Sequence, residues 1–189
     1  MNSRIGRLNI SIVLSTTLAL IFGTAMANTN SVWAANIDCP NAPPSGNVQV
    51  CNGTPNDDRM SGTANEDLMD GRRGQDKMFG FASNDQMFGG EGADTMSSGS
   101  GRDDNHGNER NDNVNGDSGD DITRGGFGAD TLKGSSGNDK IFHGFQDLGT
   151  QSDNNKDNID CGSGNDEAWI NVSQDGDTAD SNCETVHAG

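Results

Sequence analysis

The sequence predicts an all-β solenoid, a stack of short strands joined by tight loops, on three observations. Aspartate recurs every nine residues without a slip from Asp58 to Asp139. Glycine opens nearly every nine-residue block, and a single apolar residue usually stands two places after the aspartate. A unit this short, with one fixed apolar place, cannot hold a helix–turn–helix repeat. It suits a strand and a turn stacked on their neighbours.

The blocks start at Gly53 and run GTPNDDRMS, GTANEDLMD, GRRGQDKMF, GFASNDQMF, GGEGADTMS, SGSGRDDNH, GNERNDNVN, GDSGDDITR, GGFGADTLK, GSSGNDKIF. The sixth place holds Asp58, Asp67, Asp76, Asp85, Asp94, Asp103, Asp112, Asp121, Asp130 and Asp139. The first place is glycine except at Ser98, and the eighth carries Met60, Met69, Met78, Met87 and Met96, then Asn105, Val114, Thr123, Leu132 and Ile141. Disordered Gly/Asp sequence would not hold this phase. Residues 143–151 break it, with Leu148 where aspartate is due, and Asp157, Asp166 and Asp175 return on the beat. Beyond Trp169 the repeat decays.

Each place has a physical role. Glycine in the first and fourth places is expected to supply the positive-φ conformations of tight turns, with Asn56 and Asn65 as the next most tolerant residues. The seventh to ninth residues are expected to form the strand, the eighth pointing inward. Strands stacked about 4.8 Å apart would align the loop aspartates as carboxylate ladders. Neighbouring charges at that spacing repel by roughly 3–4 kcal/mol at an effective dielectric of 20. A divalent cation between loops reverses the sign. Carboxylate and carbonyl oxygens in a flexible loop suit Ca²⁺ better than Mg²⁺, which demands a strict octahedron.

These blocks resemble the RTX, or hemolysin-type, calcium-binding nonapeptide GGxGxDxUx, where U is a large apolar residue. GGEGADTMS and GGFGADTLK match every place. The resemblance covers 53–142 strongly and 152–169 partly. It implies a right-handed parallel β-roll with two nonapeptides per turn. It also implies calcium held between same-side loops by the sixth-place carboxylates and by loop carbonyls such as those of Gly71, Gly89, Gly125 and Gly134. Asp58, Asp76, Asp94, Asp112 and Asp130 would line one edge, and Asp67, Asp85, Asp103, Asp121 and Asp139 the other. Asp157 and Asp166 would add ligands beyond the break. Five loops per edge leave four gaps, hence roughly eight ions. Departures at Ser98, Asn105 and Arg110 predict weak or empty sites in 98–115.

The flanks read differently. Arg4 and Arg7, an apolar run from Ile10 to Phe22 and Ala25-Met26-Ala27 form the pattern of a secretory signal segment over 1–27. The expected order is then a cap or linker at 28–52, the roll at 53–169 and a C-terminal cap at 170–189. Four cysteines without a C-x-x-C pair agree with export. They allow three pairings. Cys39 and Cys51 bracket the start of the repeat while Cys161 and Cys183 bracket its end, so two local bridges are expected.

Composition limits the function. Net charge is −17, and Leu, Ile, Val and Phe total 30 residues, ten of them in the first 27. So acidic a chain does not suit duplex nucleic acid, and so little apolar surface makes folding depend on the ion. NDNVNG at 111–116 lacks the leading aspartate and the terminal glutamate of an EF-hand. His106, His143 and His187 are scattered and read as surface residues, with no nucleophile beside them, so no enzyme is expected. Phe79, Phe88, Phe142 and Trp169 share the ninth place, to cover the roll or to form an adhesive strip; covering is preferred. Three classes remain: a secreted, monomeric calcium-binding roll; a calcium-rigidified adhesin or surface-layer component with an unidentified cell-surface or matrix partner; and a non-catalytic module related to extracellular RTX enzymes.

Overall fold

The structure is a computed structural model that describes residues 35–39, 48–144, 153–172 and 175–189. The expected signal segment lies outside them. The described residues form strands and no helix. In chain order the strands are β1 (Asn36–Asp38), β2 (Gln49–Asn52), β3 (Arg59–Ser61), β4 (Asp67–Asp70), β5 (Lys77–Ala82), β6 (Gln86–Glu91), β7 (Thr95–Ser100), β8 (Asp104–Glu109), β9 (Asn113–Asn115), β10 (Ile122–Phe127), β11 (Thr131–Ser136), β12 (Lys140–Phe142), β13 (Asn158–Ser163), β14 (Glu167–Ile170), β15 (Thr178–Ala179) and β16 (Thr185–Ala188).

Consecutive strands alternate between two parallel sheets of eight, one holding the odd-numbered strands and the other the even-numbered strands in order. Two nonapeptides therefore make one turn, and a residue pairs with the one 18 places on, as Met60 with Met78 and Met78 with Met96. The strands exceed the expected three residues where they continue into the next block, as in β5 and β6.

The core is two single-file columns of eighth-place side chains. Met60, Met78, Met96, Val114, Leu132 and Ile159 stack on one sheet. Cys51, Met69, Met87, Asn105, Thr123, Ile141 and Ala168 stack on the other. All are buried. Unbranched methionine adapts to the narrow space between the sheets. Asn105 and Thr123 interrupt the second column with polar groups, and Asn105 Oδ1 and Thr123 Oγ1 have no partner.

The break at 143–151 adds one block of chain without adding a turn. Leu132 pairs with Ile159 and Ile141 with Ala168, offsets of 27 rather than 18. His143 still continues the ladder, donating from its N–H to the carbonyl of Trp169 at 3.1 Å and accepting from the N–H of Gly126 at 3.0 Å.

The flanking segments extend the roll itself. β1 and β2 pair in register with β3 and β4, and β15 and β16 pair with β13 and β14. Both expected disulfides are present, Cys39–Cys51 and Cys161–Cys183, with Cα separations of 5.4 and 5.1 Å. On the outer face of the even sheet the ninth places align: Phe88 stacks on His106, Phe142 on Trp169, and Trp169 on His187. The Arg124 guanidinium lies 5.4 Å from the Phe142 ring centre.

Candidate metal sites

Each sixth-place aspartate closes its loop at the start of a strand, just before it or, for Asp67, as its first residue, and its side chain turns inward. All twelve, from Asp58 to Asp166, are at most 3% exposed. On one edge the N–H of Asp58 donates to Oδ1 of Asp76 at 2.7 Å, Asp76 to Asp94 at 2.8 Å, Asp94 to Asp112 at 2.8 Å and Asp112 to Asp130 at 2.8 Å. On the other edge Asp67 donates to Asp85, Asp85 to Asp103, Asp103 to Asp121 and Asp121 to Asp139, at 2.7–2.9 Å. Across the break the series continues from Asp130 to Asp157 and from Asp139 to Asp166. The two edges expected from the sequence are therefore present, and the extra chain of the break leaves their alternation intact.

One carboxylate oxygen is thus engaged by backbone, and the other is not. Oδ2 of Asp76, Asp85, Asp94, Asp103, Asp112, Asp121, Asp130, Asp139, Asp157 and Asp166 is buried without a hydrogen-bond partner. Leaving a buried polar atom unmade costs about 1–3 kcal/mol, more when it is charged. Ten such atoms at equivalent places point to missing cationic partners along both edges.

The first-place residue shapes the space beside that oxygen. A Cβ on Gly116 would lie 2.6 Å from Asp121 Oδ2 and 3.0 Å from the carbonyl oxygen of Gly134, one turn on. The same two groups, the block's own Oδ2 and the next turn's first-place carbonyl, crowd a Cβ at Gly71, Gly80, Gly89, Gly107, Gly125 and Gly134. The carbonyls of Gly71, Gly89, Gly125 and Gly134 each face the glycine one turn before them. First-place glycine is therefore required for space. The left-handed backbone falls at the fourth place, as at Gly74 (φ 115°), and at the second, as at Gly90 (φ 109°). This corrects the expectation that the first place supplies positive φ. Even Arg72 and Arg110 adopt left-handed φ, in the second and fourth places.

Burial is the main influence on these carboxyls, and like charges one turn away add to it. Asp76, Asp85 and Asp130 are pushed up to about 7, Asp112 and Asp121 to about 8, and Asp94 and Asp139 to about 6, while the hydrogen bond from the preceding turn opposes the rise. Asp157 rises to about 9, and Asp67, Asp103 and Asp166 also rise. Such groups resist ionising without a cation. The donor set of carboxylate and carbonyl oxygens, with space kept open by glycine, fits a hard divalent cation.

Departures follow the first and second places. In the first two blocks a second-place threonine meets the aspartate. Thr54 and Thr63 donate their N–H to Oδ2 of Asp58 and Asp67 at 2.6 Å, and Ala35 N–H reaches Asp58 Oδ1 at 3.1 Å. At Ser98 the side chain fills the space. Its Oγ lies 3.0 Å from the Gly116 carbonyl, and Asn105 Nδ2 donates to it at 2.9 Å. Ser98 and Asn105, two departures in the sequence, thus meet as one hydrogen-bonded unit beside Asp103.

Three residues escaped the sequence reading. Glu184 Oε2 accepts the N–H of Asp166 at 2.8 Å. It stands 18 places on, so a glutamate in the aspartate place was the available signal. Asp177 Oδ1 accepts the N–H of Asp157 at 3.0 Å. Asp175, on the beat, instead accepts from Asn154 N–H; on this edge the offset is 20 residues while the other edge keeps 18, which the period could not reveal. His143 is 2% exposed and faces Asp157 and Asp177, which corrects its expected place on the surface.

A family model described as the RTX calcium-binding nonapeptide repeat matches residues 52–80, 78–104 and 106–141. No curated protein matches the chain.

Proposed function

Because its residues 52–141 make this chain a member of the RTX calcium-binding nonapeptide repeat family, we propose that it is a secreted protein whose activity is to fold on calcium. The row of buried, unpaired Oδ2 atoms beside first-place glycines carries this reading. Calcium supplies positive charge and accepts oxygen ligands, which offsets both the repulsion along each ladder and the desolvation of each carboxylate. Within the chain, from Asp76 on, Oδ1 of each aspartate orders the loop one turn before it, Oδ2 faces the ion, and the next turn's first-place carbonyl completes the pair of oxygens at the glycine-opened blocks.

Seven places combine an unpaired Oδ2, a first-place glycine and a facing carbonyl: those of Asp76, Asp85, Asp94, Asp112, Asp121, Asp130 and Asp139. These are the strong sites, and Asp58 and Asp67, engaged by threonine, are weaker. Calorimetry should give about seven tight calcium equivalents, close to the roughly eight expected from counting gaps. Fewer than four would contradict the assignment. Export is tested by sequencing the N-terminus of the protein recovered outside the cell.

One observation favours a second reading as a calcium-rigidified surface component: the aligned outer stacks of Phe88 with His106 and of Phe142 with Trp169 and His187. If that strip binds a cell-surface partner, Phe88→Ala with Trp169→Ala should release the protein from the cell fraction without loss of its calcium-bound β structure.

A further inference from the structure

We propose that His143, Asp157 and Asp177 form a separate site for one transition-metal ion, Zn²⁺ by preference, built where the nonapeptide pattern fails. His143 stands in the first place, where the other turns of that edge carry Gly53, Gly71, Gly89, Gly107 and Gly125. Its imidazole enters the space that those glycines leave open. Nδ1 lies 3.4 Å from Asp177 Oδ2 and 4.0 Å from Asp157 Oδ2. One nitrogen and two carboxylate oxygens, all within 4.8 Å of one another, converge from three buried side chains.

The distances fit one small ion. Zinc binds imidazole nitrogen and carboxylate oxygen at about 2.0–2.2 Å, so two ligands in a tetrahedron lie roughly 3.4 Å apart. The Nδ1–Asp177 separation meets that value, and the longer one closes with a small side-chain rotation. The nitrogen sets the class of metal. Calcium takes oxygen ligands, whereas imidazole suits zinc and its neighbours.

A second observation points to a ligand. His143 is 2% and Asp157 1% exposed, yet Asp157 Oδ2, which faces the imidazole, has no hydrogen-bond partner. Backbone donors hold both carboxylates in place, as ligands usually are held. Asp157 Oδ1 accepts the N–H of Asp130 at 2.7 Å, Asp177 Oδ1 that of Asp157 at 3.0 Å, and Asp177 Oδ2 that of Asn171 at 2.8 Å. The ion would tie the first residue of the break to the two turns that follow it. The site rests on the calcium reading only in needing a folded roll.

The test therefore uses the full exported chain saturated with calcium, with β structure first verified by circular dichroism. Zn²⁺ is then titrated by calorimetry, and Co²⁺ is followed through its visible absorption. The expected result is one Zn²⁺ equivalent bound without displacing calcium, and a Co²⁺ spectrum of four- or five-coordinate intensity. His143→Ala should lose that equivalent, and Asp177→Asn should weaken it by about tenfold or more. His106→Ala with His187→Ala should retain it. Failure of the folded, calcium-loaded chain to bind Zn²⁺, or equal binding by His143→Ala, overturns the site and leaves the calcium reading untouched. Loss of β structure in calcium would instead be a failure of the calcium reading.

Discussion

The backbone N–H of Asp76 donates to Oδ1 of Asp94, one turn further along the roll, at 2.8 Å. From Asp76 to Asp166 each aspartate therefore fixes the loop before it with Oδ1 and leaves Oδ2 unpartnered, in most blocks toward the space beside its own first-place glycine. Asp94→Ala should remove both contributions. It leaves the Asp76 N–H without its acceptor, a cost of about 1–3 kcal/mol, and removes a ligand from a full-consensus block. Asp103→Ala, beside the Ser98 side chain, should lose less calcium affinity. Calorimetry on the two variants checks this, and comparable losses would contradict it.

The first place decides which loops open. Ser98→Gly should add one calcium equivalent by clearing the space beside Asp103, whereas Gly116→Ala should remove one, because its Cβ would lie 2.6 Å from Asp121 Oδ2. Equal calcium counts for both variants and the parent would show that the ion does not use this space.

Acid should favour the metal-free fold and oppose calcium. The ladder carboxyls are raised in the fold, Asp112 and Asp121 to about 8 and Asp76 and Asp85 to about 7. The folded, ion-free chain therefore binds more protons than the unfolded one, whose aspartates titrate near 3.9. Stability from these groups is present in full below about pH 4 and is lost as pH rises through 6 to 8. In chelator, β content should increase on acidification from pH 8 toward pH 4–5. In calcium, affinity should fall over the same range as protons compete for Oδ2. A chelated chain with more β structure at pH 8 than at pH 5 would reverse the sign.

Much of this was legible in the sequence because the repeat is strict. The unbroken aspartates fixed the nine-residue unit and the inward place of Met60 to Met96, while two units per turn and the two edges came from the family resemblance. Glycine was read as a turn former throughout, yet Gly116 needs room while Gly74 needs its φ. One letter cannot separate those demands. His143, Asp177 and Glu184 were missed where the period gives out, because their places depend on which residues the roll skips. The role of Ser98 with Asn105 was half visible: both were marked as departures, but only the fold brings them to 2.9 Å.

The C-terminal turns should depend on their disulfide. Cys161–Cys183 closes a separation of 22 residues, worth roughly 3 kcal/mol on the chain-entropy account. β16 is exposed along its length, and Trp169 stacks between Phe142 and His187. Reduction in saturating calcium should change Trp169 fluorescence and speed hydrogen exchange in β14–β16 while β5–β8 stay protected. Uniform exchange across the roll would contradict this.

On the proposed reading, the ion rather than the narrow apolar core makes the roll stable at neutral pH. Calcium titration of the chelated protein at pH 7.5, followed by far-ultraviolet circular dichroism, checks this. The chain should pass from largely disordered to β-rich in the millimolar range or below, and magnesium should substitute poorly. The same β signal in chelator and in calcium would contradict the account.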